Sequence, residues 1–243
     1  MLPRFWRHYE HLPPMAELPK YARTPSGLQG DALNVALVGE EGEVNRAFAA
    51  AGWSPAAALS LRADAGIAAS VLLGHPDPTA PVSTLLVWNR KQDLAFEKEI
   101  GRSAKRRNHV RFWRSPLSPG GRALWVGAAT QDVRVELARD TGQVTHRIGP
   151  DIDAERALVI GDLARAGQLT RVFSVTGIGP TLDGRNGGGD RYWTDGELEV
   201  GTLATAAETG RATAEPLASP VPVQVKDTLW GWLGAAVQPA EGP

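Results

Sequence analysis

Between residues 84 and 148 the chain carries six short segments, 84–89, 94–99, 109–114, 124–129, 133–138 and 143–148, rich in Val, Leu, Trp and Thr and separated by Gly, Pro or Asp. Segments so short and closely spaced read as strands joined by turns, and strands joined by tight turns run antiparallel. The clearest pair sets Val133, Val135 and Leu137 against Val144, His146 and Ile148 across Asp140-Thr141-Gly142, with Arg134, Glu136, Thr145 and Arg147 on the opposite face. Such alternation on both arms pins the register, because a one-residue slip would turn every apolar side chain outward.

The flanks supply the rest of the architecture. Asn34 to Gly39 is a short apolar run that reads as a buried strand, followed by Val44, Ala47, Phe48 and Ala51 at helical spacing and Gly52 as a stop. A second helix is expected from Ser60 to Gly74, with Leu61, Ala65, Ala68 and Leu72 on one face. A third follows Pro150, with Asp151, Asp153 and Glu155 in its first turn and Leu158, Val159 and Leu163 behind them, up to Gly167. Two more strands, 170–176 and 197–203, enclose a glycine-rich run. The fold class is therefore α+β: a mainly antiparallel sheet with about three packed helices in a single domain.

Residues 1–32, with Pro3, Pro13, Pro14, Pro19 and Pro25, read as an extended arm without regular structure, 33–203 as the body, and 204–243 as a Pro/Ala-rich tail ending in a segment with Trp230 and Trp232. That segment is expected to dock on the body, meet a partner or lie on a membrane surface. No stretch reaches the ~18 apolar residues that span a bilayer. Arg4, Trp6, Arg7, His8 and Tyr9 nevertheless have the composition of a membrane helix's interfacial flank.

With 26 Lys+Arg against 27 Asp+Glu and a formal charge of -1, the chain has no global electrostatic reason to bind nucleic acid, and Arg102, Lys105, Arg106 and Arg107 read as a solvated hairpin tip. The absence of cysteine removes disulfides, thiolate metal sites and thiol nucleophiles. No Gly-x-Ser-x-Gly elbow and no His-Glu-x-x-His pair occurs, which excludes the corresponding hydrolase mechanisms.

Three clusters carry chemical potential. Gly177 to Glu197 holds seven glycines in 21 positions. Either Asn186, Gly187, Gly188 and Gly189 form an amide nest for an anion, with Arg185 and Arg191 adding charge, or the run is a long β-hairpin whose glycines serve turns. It matches neither a phosphate loop nor a dinucleotide fingerprint. In the second cluster His146 precedes Asp151, Asp153 and Glu155, which with Asp190 form a vocabulary of hard ligands for Mg²⁺ or Ca²⁺, although Asp151 also makes a good helix cap. In the third, strand alternation puts His109, Arg111 and Trp113 on one face, a wall for an anionic ligand, with His109 or His146 as acid/base candidates.

These segments resemble the LssY C-terminal domain family: Thr24-Pro25-Ser26-Gly27 through Gly39, Lys91 to Glu97, His109-Val110-Arg111-Phe112-Trp113, Thr145-His146 with Asp151 to Arg156, and above all Gly177-Ile178-Gly179-Pro180-Thr181 to Glu197. The resemblance implies a bacterial accessory domain, often attached to membrane-embedded modules similar to lipid phosphatases or DedA-type transporters. It supplies a neighbourhood rather than a mechanism. Relatives often show histidine where this chain has Asn108 and Arg147, a departure that weakens a multi-histidine metal site. The resulting expectation is a membrane-associated accessory or binding domain, partnered by a membrane or membrane protein, whose polar pocket of His109, Arg111 and the 186–190 loop takes an anionic envelope ligand. The competing expectations are a metal-dependent, phosphoesterase-like hydrolase and a purely structural, partner-binding domain.

Overall fold

The structure, a computed structural model, describes residues 15, 17–56, 84–100, 103–137 and 144–237, and the side chains of all of these except 103–106, 133–137, 144–147 and 234–237. The helix expected over 60–74, the Asp140–Gly142 turn and the side chain of His146 lie outside what is described.

The strands in chain order are β1 (Tyr21–Arg23), β2 (Gln29–Ala32), β3 (Val35–Val38), β4 (Ser54–Pro55), β5 (Leu94–Ile100), β6 (Ser103–Arg114), β7 (Leu124–Leu137), β8 (Val144–Ile148), β9 (Leu169–Thr176), β10 (Thr181–Arg185), β11 (Arg191–Thr194), β12 (Glu197–Leu203) and β13 (Glu215–Pro216). The helices are α1 (Glu41–Ala50), α2 (Ile152–Arg165) and α3 (Val221–Val237). One sheet runs in the order β13-β9-β12-β3-β7-β6-β5-β4, with β8 paired to the far half of β7. Its pairs are antiparallel except β12 with β3 and β13 with β9, so the expected α+β class holds.

Alternation along the central strands splits the core in two. Val35, Leu37, Phe96, Val110, Phe112, Trp125 and Ala129 join Phe48 of α1 and Val159 and Leu163 of α2 in one layer. Phe48 stacks on Phe96 with ring centroids 4.1 Å apart and meets Phe112 edge-on at 5.6 Å. On the opposite side Ala36, Val38, Trp113, Val126, Phe173 and Val200 are covered by Met15, Leu18 and Ala22 from the N-terminal arm and by Leu33, Leu85 and Val87. The arm thus helps to cover one side of the core, and β1 pairs with β2 across a turn in which the amide of Gly27, at φ 84°, donates to Thr24 O. Its prolines and glycines build a hairpin where the sequence suggested irregular chain.

Two other expectations change. The expected segment 124–129 and the described part of 133–138 are one strand, β7, and 84–89 forms only isolated bridges at Leu86 and Val87 beside a turn with Trp88 and Asn89 at positive φ. After Leu203 the chain stays clamped to the body: the amides of Ala204, Gly210 and Leu217 donate to Gln168, Gly167 and Val172, and β13 extends the sheet. The helix α3 follows, with Pro222 tolerated in its first turn, where no intrahelical N–H is needed.

Candidate functional site

The β6–β7 register sets Thr130 opposite His109 and Asp132 opposite Arg107. His109 Nε2 lies 2.9 Å from Thr130 Oγ1, and its Nδ1 lies 3.1 Å from Asp132 Oδ1. Arg107 Nε donates to Asp132 Oδ2 at 3.0 Å and its Nη1 pairs with Glu97 Oε2 at 2.9 Å. Burial raises Glu97's carboxyl above the usual range although Arg107 opposes the shift. The chain Thr130–His109–Asp132–Arg107–Glu97 is a buried network, in which His109 Nδ1 faces Asp132 Oδ1 at ion-pair distance without hydrogen-bond geometry. Arg111 is buried beside it; burial lowers its pKa, against the opposing charges of Asp31 and Asp132. Trp113, expected in a ligand wall, is fully buried and donates its indole N–H to Arg90 O at 3.1 Å.

Glu155 points inward from the first turn of α2 and is 7% exposed. Burial pushes its carboxyl up to about 7, opposed by His109 and reinforced by Asp151 and Asp132. Its neighbours on the helix face elsewhere. Asp151 caps the helix, accepting from Ala154 N at 3.0 Å. Asp153 accepts from Thr194 Oγ1 and, at 2.7 Å, from Asp195 N, tying the helix to the end of β11. Arg156 makes a two-pronged pair with Asp195 at 2.8 and 2.7 Å and donates to Glu197 O at 3.0 Å. Burial raises Asp153, whereas Arg156 holds Asp195 below its usual range against the effect of burial.

The glycine-rich run is a hairpin of β10 and β11. Arg191 grips Asp183 across it at 2.7 and 2.9 Å, and Arg185 donates to Gly189 O at 3.2 Å. At the tip, Asn186 N donates to Asp190 O, Gly189 N to Asn186 O, and Asp190 N to Asn186 Oδ1. Two of the four amides an anion nest would use, those of Asn186 and Gly189, are thus already committed within the turn. Asp190 reaches Ile148 N at 3.4 Å, which brings the tip beside the strand opposite Asp132.

Among the described residues no three His, Asp or Glu side chains stand close enough to share a metal ion, so Asp151, Asp153, Glu155 and Asp190 are not gathered at one point. An open groove of about 340 Å³ lies instead between the start of α2, the β10–β11 hairpin and α3. Asp151, Asp153, Arg156, Thr194, Leu182 and the half-buried indoles of Trp193 and Trp230 line it. Trp193's indole nitrogen is buried without a hydrogen-bond partner. The acids of this groove stand in the sequence pattern; the tryptophans do not announce themselves, because only the hairpin's fold-back and the docking of α3 bring them together.

No curated protein and no solved structure matches the chain. A family model does match, over residues 15–198, from the buried Met15 through the hairpin and into β12. The chain belongs to the family described as the LssY C-terminus.

Proposed function

We propose that the chain is a membrane-associated binding domain whose groove between α2, the β10–β11 hairpin and α3 takes a polyhydroxylated envelope ligand, such as the sugar of a headgroup. The observation that carries this reading is the pairing of two half-buried indoles, Trp193 and Trp230, with the carboxylates of Asp151 and Asp153 around an open space of about 340 Å³. Apolar walls with a few placed polar groups are the usual make-up of a ligand site. An indole face stacks on the C–H face of a sugar ring while carboxylate oxygens accept from its hydroxyls. A purely anionic ligand fits less well, since the groove's arginine, Arg156, is already engaged by Asp195. The His109 and Arg111 network is buried and matched by Glu97, Asp132 and Asp31, which suits it to holding the sheet rather than to meeting a solute.

Titrating the full chain with neutral and acidic oligosaccharides, followed by tryptophan fluorescence and thermal shift, tests the reading. Saturable binding is expected, weakened at least about tenfold in Trp230→Ala, the scale of a lost stacking contact of roughly 1.4 kcal/mol. No response to any sugar, or a response that Trp230→Ala and Trp193→Ala leave intact, would sink it.

A further inference from the structure

The amphipathic pattern of α3 faces the wrong way for a helix that only packs on its own domain. Its ionisable residues, Lys226 and Asp227, are turned toward the body: Lys226 Nζ contacts Glu197 and lies 3.0 Å from Asp227 Oδ1, with Lys226 and Glu197 side chains 11% and 8% exposed. Val223 is buried on the same side. The outer side carries Val221, Val225, Leu229, Trp232 and Leu233, exposed at 70, 51, 56, 75 and 46%. Spacings of four, four and three to four residues put them in one stripe along the helix. The helix is thus held by charge and exposes its apolar side to water, a cost that needs an occupant to offset it.

From this stripe we infer that α3 lies on a lipid surface bearing anionic headgroups, which deepens the membrane-associated reading above and rests on it. Two observations select this occupant. First, five partly exposed side chains present roughly 400 Å², about half of the ~800 Å² each partner contributes to a stable protein interface. A bilayer sets no such threshold and accepts an apolar face with a tryptophan at headgroup depth. Second, the described N-terminal arm passes the same corner. Lys20 Nζ donates to Thr176 O at 3.1 Å, Thr176 pairs with Glu197, and Glu197 holds Lys226. Eleven to sixteen residues before Lys20 the sequence reads Arg4-Phe5-Trp6-Arg7-His8-Tyr9, the cationic and aromatic chemistry that complements anionic headgroups. The groove, which shares Trp230 with α3, would then open beside the headgroup layer.

Sedimentation of the full chain with vesicles of phosphatidylcholine and phosphatidylglycerol tests the inference without any sugar. Binding is expected, weaker on phosphatidylcholine alone, and reduced at least about tenfold by the double change Leu229→Glu and Trp232→Glu. Both residues are exposed, so the variant should keep the wild-type melting temperature, and that melt is measured alongside. Four outcomes would overturn the inference: no binding to either vesicle, equal binding to both, undiminished binding of a folded double variant, or a dimer in light scattering that the variant converts to monomer. The last would make a second copy the occupant. Because no sugar is present, failure of the groove to bind oligosaccharides leaves this result standing, and the reverse holds as well.

Discussion

Asn34 does the work of a strand residue with its side chain. Its Nδ2 donates to Ala129 O at 3.0 Å and Ile152 O at 2.9 Å, and its Oδ1 accepts from Ala129 N at 2.9 Å. It therefore ties β7 to the start of α2 from a site 2% exposed. Asn34→Ala would strand buried backbone groups, and a loss of about 3 kcal/mol is expected in urea unfolding. Glu155 makes an opposite prediction. Its folded carboxyl titrates at about 7 against an ordinary 4.5, so the folded state holds the extra proton and this group's stabilisation is present below pH 4.5 and lost as pH rises through 7. Glu155→Gln keeps the neutral form at all pH. The variant should gain about 2 kcal/mol over wild type at pH 8 and show little difference near pH 4, read from urea unfolding at both.

At the scale of elements, the sequence was most legible where polarity follows the period. The cap and acidic first turn of α2 and the Val44–Phe48 face of α1 stand as read. The long β7 looked like two strands because Thr130, Gln131 and Asp132 interrupt the apolar pattern. Thr130 and Asp132 fill inward slots with polar groups that meet His109 and Arg107, a pairing that single-strand periodicity does not encode. The candidate site was legible in its acids and its glycine-rich hairpin and illegible in its aromatic walls, whose convergence depends on contacts between residues far apart in sequence. Glycine content also mixes several demands. Gly196, at φ 80°, accepts from the amides of Gly177 and Gly179, and a Cβ there would stand 1.9 Å from the Gly179 carbonyl carbon. Gly196→Ala should cost at least about 3 kcal/mol and broaden the hairpin's amide signals in NMR. Gly42, exposed in α1 with nothing within 4 Å of its would-be Cβ, is the contrasting case. Gly42→Ala should raise stability by about 0.5 kcal/mol in the same assay, by reducing the freedom of the unfolded chain.

At the scale of the whole molecule, the family match ends at residue 198, inside β12, whereas the sheet continues to β13 and α3 adds a further face to the groove. Deleting 219–243 should therefore leave a cooperatively melting body, a few degrees less stable because Glu197 loses Lys226, and abolish both sugar and vesicle binding; circular dichroism melts and the two binding assays check it. The parallel pairing of β3 with β12, Val35 beside Glu199 and Val38 beside Thr202, has its own implication for how the protein is made. A ribosome delivers β3 early and β12 last among the long strands, so the centre of the sheet stays open for most of synthesis. Until β12 arrives, the edges of β3 and β9 that it will join lack their partner, and chain termination or slow codons before residue 203 would release an aggregation-prone intermediate rather than a smaller working domain.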